Sequence, residues 1–319
     1  MNDFNFVIAV RAIGREDFIT ISEKDFVDIR TANKFILFGL DIEEKLDLLV
    51  ENYADIEKEI LDMAVQNSIH PGAIYDLIKG SRHRVNRRFV NFLTAVQLYK
   101  DQIRYSLTKV YEKDSEIIEK FDKKSNYEYD NSLGYRVVEA LRNHVQHASL
   151  PITSISFPAR RVEPTLRDIT SPKQRLISFS VSPYVGLDKL KENNKFKKTI
   201  LKELEKIADD KNNIRLMPIV RQHVESIGHL HNLLRGLCKE SIEDAQKLIE
   251  ENICLAECGL NSPEAGLAAI KRDNVGLHED FENISRVNIE RWQELQKKNR
   301  HLDQISPRFV TSECLPYDS

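Results

Sequence analysis

Asp41-Ile-Glu-Glu-Lys-Leu-Asp-Leu-Leu-Val-Glu-Asn-Tyr-Ala-Asp-Ile-Glu-Lys-Glu-Ile-Leu-Asp-Met63 reads as one amphipathic helix. Ile42, Leu46, Leu49, Tyr53, Ile56, Ile60 and Met63 recur at intervals of three or four, which puts them on one side of a helix. Asp41 with Glu44 three positions on matches the acidic form of a capping box, so the helix is expected to begin there. His70-Pro71-Gly72 supplies the stop, because proline lacks the N–H and clashes with the preceding turn.

Working outward, the text toward the C-terminus stays helical. A second helix is expected from about Val85 to Glu112, burying Val85, Phe89, Phe92, Val96, Ile103 and Val110. Ser125 to Ser132 is polar and reads as a loop, and a third helix runs from Leu133 to Ala148, ending before Leu150-Pro151. Toward the N-terminus, Phe6-Val-Ile-Ala-Val10, Phe18-Ile-Thr-Ile21 and Phe35-Ile-Leu-Phe38 are β-branched or aromatic runs that predict strands. Strand text returns after Pro151. Ile155 with Phe157 and Ile177-Ser-Phe-Ser-Val181 alternate with period two, punctuated by Pro158, Pro164, Pro172 and Pro183. Helices are expected again at about 188–208 and 216–237, then from a Ser241/Asp244 cap to Cys258, and finally at about 280–300.

The expected class is therefore α+β and predominantly α-helical. Three segments follow: a β-rich stretch 1–40, a helical bundle 41–151, and strands then helices over 152–319. In the arrangement this suggests, the two strand groups share one sheet and the first helical block is inserted between them.

Composition agrees with a folded, helix-rich chain. Of 319 residues, 41% are hydrophobic and 30% charged, too apolar for disorder, while 11 glycines and 10 prolines are too few for a turn-rich sandwich. A net charge of −3 gives no global attraction to nucleic acid, so contact with a polyanion must come from a local patch. Four cysteines, Cys238, Cys254, Cys258 and Cys314, do not make a disulfide framework. Cys254 and Cys258 read as a pair of small buried residues on a helix. The opening residues lack the charge and the apolar run of a signal peptide, and no segment reaches the roughly 18 apolar residues of a membrane span. A cytoplasmic protein without membrane contact is expected.

The densest chemical text lies on the third helix, in Glu139-Ala-Leu-Arg-Asn-His-Val-Gln-His147. On a helical wheel Val137, Val138, Leu141, Val145 and Ala148 form the core-facing stripe. Asn143 and His147 lie together on the opposite side, one turn apart, with Glu139 a turn earlier and Gln146 nearby. Arg142 sits at the border, about 140° from His147 on an ideal helix. An arginine can grip a phosphate through two parallel donors, and a histidine titrates near neutral pH and can exchange a proton. An asparagine can orient the ring or hold a nucleotide. The plainer reading of the same residues is a solvated face with Arg142 paired to Glu139 and His147 favoured by the dipole of the helix end.

Arg142-Asn143-x-x-x-His147 resembles the R-N-x-x-x-H signature of the HEPN superfamily, whose helical bundles carry that motif late in the bundle. The resemblance covers residues 41–151. It implies a metal-independent endoribonuclease, usually a homodimer with a composite cleft, acting as a toxin or antiviral defence effector. By that likeness the 2′-hydroxyl of RNA attacks the adjacent phosphate, leaving a 2′,3′-cyclic phosphate and a 5′-hydroxyl. His147 would act as general acid or base, Arg142 would stabilise transition-state charge, Asn143 would orient one of them, and Glu139 and Gln146 would support. Implied partners are RNA, a second copy of the chain and an antitoxin or other defence protein; no cofactor or metal is implied. The alternative is a non-catalytic RNA- or nucleotide-binding or scaffolding protein that uses the same face, with the C-terminal helices docking a partner.

Other constellations carry less. His144 and His147, three apart, could bind a metal in a metal-assisted hydrolase, but His144 falls beside the core stripe and reads as a core-flanking residue. His223, His229 and His231 share another expected helix, but 229 and 231 are two apart and point to different faces, which argues against a ligand set. Lys79, Arg82, Arg84, Arg87 and Arg88 form a basic run suited to an RNA backbone or to a solvated loop. Lys195 to Lys198 and Gln296 to Arg300 read as solvated helix faces. No phosphate-cradling glycine loop, H-E-x-x-H or nucleophile elbow is present.

Overall fold

The computed structural model describes residues 5–12, 16–70, 78–112, 115–162, 176–194, 196–260, 266–273 and 278–310. The protein is α+β and predominantly helical. Strands β1 (Asn5–Val10) and β2 (Phe18–Ile21) precede helices α1 (Glu23–Ile69), α2 (Ser81–Val110), α3 (Glu116–Asn131) and α4 (Leu133–His147). Then come β3 (Ile152–Ser156), β4 (Ala159–Val162), β5 (Leu176–Phe179), β6 (Ser182–Gly186), α5 (Leu187–Lys191), α6 (Lys198–Glu205) and β7 (Asn213–Arg215). Helix α7 (Leu216–Leu260), β8 (Leu267–Arg272), β9 (His278–Asn283), α8 (Val287–Lys298) and a 3-10 turn at Leu302–Gln304 follow. No helix among the described residues is long and apolar enough to cross a membrane.

The first helix starts eighteen residues before the expected Asp41, at a different capping box. The Ser22 N–H donates to Asp25 Oδ2 at 2.9 Å, and the Asp25 N–H donates to Ser22 Oγ at 3.1 Å, which satisfies two otherwise orphaned donors. The Ser22 hydroxyl, which donates to Asp25 Oδ2 at 2.7 Å, and then the Ser22 N–H hold the Asp25 carboxyl below its usual range. Phe35-Ile-Leu-Phe38 is accordingly helix, not strand. Phe26, Ile29, Ala32, Ile36 and Gly39 continue the buried stripe of Ile42 to Met63 at the same spacing, so tertiary burial overrides local β propensity. The stop holds: α1 ends at Ile69.

Four further assignments differ from expectation. Residues 125–131 are helix, because Ile118, Phe121 and Glu128 bury one side of α3 and Lys124 Nζ pairs with Glu128 one turn on, at 2.7 Å. The break expected before Ser241 is absent. Leu234, Cys238, Ile242, Ala245, Ile249 and Ile253 keep one buried period through it, giving a helix of 45 residues. The helix expected at 188–208 is two short helices parted by the turn around Asn193. The one expected at 280–300 is strand β9 followed by α8. Cys254 and Cys258 are exposed, not buried, since Ile253, Ala256 and Leu260 hold the inner face of α7; Cys238 is buried. Cys314 lies outside the described residues.

Two compact units emerge, and neither follows the three consecutive segments marked by pattern. One comprises residues 1–47, 100–122 and 231–300; the other comprises 48–99, 123–230 and 301–319. In the first, an antiparallel sheet of order β2-β1-β8-β9 forms, with Ile8 opposite Ala269 and Ala269 opposite Glu282. The two strand groups therefore do not share a sheet; the N-terminal strands pair with a C-terminal hairpin whose β8 buries Leu267 to Ile270. Arg30 on α1 ties to Glu282 at 2.7 Å and to Asp280. In the second unit β3-β6-β7 and β4-β5 form separate sheets.

Candidate functional site

Helix α4 is fixed at both ends within its unit. At its start Ser132 Oγ accepts from the Tyr135 N–H at 3.2 Å, and the Gly134 N–H donates to Gln222 Oε1 of α7 at 3.1 Å. At Gly134 the two helices approach closely. A Cβ there would stand 2.5 Å from Gln222 Cβ and 2.7 Å from the Ile219 carbonyl oxygen. Gly134→Ala is therefore expected to destabilise by about 1–3 kcal/mol, as overpacking does, read as a lower urea midpoint; an unchanged midpoint would show that the helices part freely. At the other end the buried Asn86 of α2 takes the chain into β3. Its Oδ1 accepts from the Ile152 N–H at 3.1 Å and its Nδ2 donates to the Ile152 carbonyl at 3.0 Å. Tyr135, Val137, Val138, Leu141 and His144 face the core.

On the other face the motif divides. Asn143 and His147 are exposed and line one cavity of about 190 Å³, together with Glu139, Arg136 and His144 from the same helix. Arg142 is half-buried, is not part of that lining, and donates from Nη1 to Asn143 Oδ1 at 3.0 Å. Gln146 is exposed outside the cavity. Of the five residues singled out on this helix, three share the cavity and two do not.

His144 is structural, as its place beside the stripe suggests. Its Nδ1 accepts from Asn193 Nδ2 at 2.9 Å, which leaves the proton on Nε2 to donate to Ser149 Oγ at 3.0 Å. Both ring nitrogens are thus engaged, which removes His144 as a partner for His147 in a metal site. Among the described residues no group of three or more His, Cys, Asp or Glu side chains is placed to hold a metal ion. Burial pushes the His144 pKa below its ordinary value of 6.5. The folded state then prefers the neutral ring. Its contribution is complete above about pH 6.5 and is lost as pH falls through the depressed value. The stability gap between wild type and His144→Gln is expected to narrow as pH falls below the ordinary 6.5; a constant gap in urea titrations would refute that role.

The basic run is partly committed elsewhere. Arg84 Nε pairs with Glu59 at 2.9 Å and Arg88 Nη1 with Asp55 at 3.0 Å, while Arg82 donates to the Thr153 carbonyl at 3.3 Å. Lys79 and Arg87 are exposed, and none of the five lines the cavity. His223 and His231 are buried, and His229 bonds the Asp303 carbonyl oxygen at 3.2 Å.

Lining residues that carry no signal in the motif text include Tyr129 on α3, Asn193 and Phe196 in the turn between α5 and α6, and Lys197. Lys197 corrects the reading of 195–198 as a plain solvated face. Its ammonium donates to Tyr129 Oη at 2.6 Å and lies 5.0 Å from that ring's centroid. Arg136 is occupied by the carbonyls of Tyr129 and Asp130, at 2.9 and 2.6 Å, and by Glu203. The larger cavity of this unit, about 540 Å³, is lined by Leu61, Val65, Ile177, Phe309 and Arg221 among others, and holds none of the motif residues.

No protein-family model, curated protein or solved structure matches this chain. Function therefore rests on the chemistry of the site and on the motif resemblance.

Proposed function

We propose that the protein is a metal-independent endoribonuclease whose proton-transfer residue is His147, acting in the cytoplasm as a toxin or antiviral defence effector. The observation that carries this reading is the shared opening of Asn143 and His147, one turn apart, into a single cavity on an otherwise core-facing helix. A histidine there can reach a substrate hydroxyl or leaving oxygen, and an adjacent amide can hold it in register. The resemblance supplies the reaction: the 2′-hydroxyl loses its proton and bonds to phosphorus, the P–O5′ bond breaks, and the 5′-oxygen is protonated. Arg142, turned toward Asn143, completes the set from a second copy of the chain. An antitoxin that covers the cavity is the implied restraint.

Cleavage of a mixed RNA pool in EDTA tests the proposal. Wild type is expected to leave 2′,3′-cyclic phosphate and 5′-hydroxyl ends, and His147→Ala to leave the pool intact. Cleavage that persists in folded His147→Ala, or that stops with chelator, would overturn it.

The position of Arg142 also favours a second reading. With the arginine outside the cavity, a single chain presents a binding surface without a full catalytic set, as expected of a non-catalytic RNA- or nucleotide-binding protein or scaffold. Retained RNA binding with no cut product from the dimeric protein would favour it.

A further inference from the structure

We infer that Lys197 is the phosphate-gripping cation of the His147 cavity, so that the segment beyond the motif-bearing bundle contributes directly to substrate binding. The inference rests on the phosphate-site reading above and names a group that the motif does not contain.

Charge inventory leads to it. Among the described residues, three charged side chains other than histidine line the cavity: Glu139, Arg136 and Lys197. Arg136 already meets two carbonyls and the Glu203 carboxylate, and Arg142 lies outside. Lys197 meets the neutral oxygen of Tyr129 instead. An ammonium has three donors, and this bond uses one, leaving two for phosphate oxygens. Because Tyr129 Oη accepts from Lys197, its own proton remains to be donated. The pair thus offers up to three donors to an anion beside Asn143 and His147, with the Glu139 carboxylate as the group that an anion must avoid.

The lysine is also held in place. Phe196 before it is buried, with its ring edge-on to His144 at 6.3 Å, and Asn193 on the same turn bonds the His144 ring. Lys197 is the N-cap of α6 and Lys198 its first residue, with no side-chain cap bond. That is the positive end of the helix dipole, where acidic residues are favoured and cations are not. Departures from such local rules concentrate at functional sites, and a bound anion relieves this one. Size sets the ligand. A cavity of about 190 Å³ is below the roughly 300–1,000 Å³ of sites that enclose a drug-sized molecule, so it suits one phosphate and its sugar rather than a whole oligonucleotide.

The test combines cleavage with binding of an uncleavable 2′-O-methyl RNA, followed by fluorescence anisotropy across a salt series. Lys197→Ala, Lys197→Arg and Tyr129→Phe are compared with Lys189→Ala, an exposed lysine outside the cavity. Expected is a loss of about 10²–10³ in kcat/KM for Lys197→Ala, in the range of a removed transition-state donor. The salt slope of binding should fall by about 0.7, one single-strand phosphate contact. Lys197→Arg should retain most of both, Tyr129→Phe should show a smaller loss, and Lys189→Ala no change. If wild type cuts RNA and Lys197→Ala matches it in rate and salt slope, the inference fails while the nuclease reading stands. If nothing is cut but Lys197→Ala still lowers affinity and slope, the phosphate grip holds and the nuclease reading falls. If wild type neither cuts nor binds, both fall.

Discussion

Arg235→Ala is expected to lower stability by about 3–5 kcal/mol, the range found when one partner of a buried ion pair is removed. Arg235 donates from Nε and Nη2 to the two oxygens of Glu43, at 2.7 and 2.6 Å, and Glu43 is fully buried. Burial pushes the Glu43 carboxyl up, but the hydrogen bonds from Arg235 and then His231 outweigh it and hold the pKa down to about 2. His231 is itself fully buried, and burial drives its pKa down, so its ring is neutral and Arg235 is the balancing cation. Removing the guanidinium strands a carboxylate in the core, and its Nη1 bond to the Asn299 carbonyl at 3.4 Å goes with it. The sign with pH follows from the lowered value. The pair's contribution is present above the ordinary 4.5 and is lost as pH falls toward about 2. Denaturant unfolding of Arg235→Ala, and of the apolar double replacement Glu43→Leu with Arg235→Met, separates the charge from the packing. The double variant should recover most of the loss, because it leaves no unpaired charge. A single-variant cost under about 1 kcal/mol would mean that water or another cation reaches Glu43.

Periodicity read the helices and misread their ends, for physical reasons that differ from place to place. The stripe from Ile42 to Met63 was plain, yet the same stripe reaches back to Phe26 through a run that local propensity assigns to strand. A buried period over many residues outweighs the preference of four. Ser22-Glu-Lys-Asp25 is as good a capping box as the one at Asp41, and the structure uses it. Ser241 with Asp244 has the look of a helix cap, yet Cys238 and Ile242 carry the buried period past it and the half-buried Ser241 sits inside one continuous helix. Strand partners are another matter, because β1 pairs with β8 across some 260 residues and no local pattern encodes that choice. The site divides in the same way. Asn143, His147 and Glu139 share a face because one helix repeats, so spacing alone finds them. Lys197 and Asn193 reach that face by tertiary folding; one clue in the sequence is a lysine pair where a helix N-terminus would favour acid.

His147→Ala should cost about 10²–10⁴ in kcat/KM, the usual worth of a positioned acid or base, with RNA affinity kept. Arg142→Ala should cost about 10²–10³ as a lost charge-stabilising donor. The two variants together say where the arginine acts. Arg142 diverges from His147 along α4 and bonds Asn143 within its own chain, so a site completed in trans takes histidine from one copy and arginine from the other. Mixing the inactive variants then forms heterodimers in which one cleft keeps both groups and its twin loses both. Random exchange makes half of the dimers mixed, with half of their sites intact, so about a quarter of wild-type activity should return for a two-fold symmetric pair. A return of activity near that level assigns Arg142 to the partner's cavity. If exchange is verified and nothing returns, each cavity is complete within one chain. The phosphate charge must then be met there by Lys197, and the cost of Arg142→Ala reflects its hold on Asn143. If neither variant loses activity, His147 is not the proton-transfer residue and the endoribonuclease proposal fails at its centre.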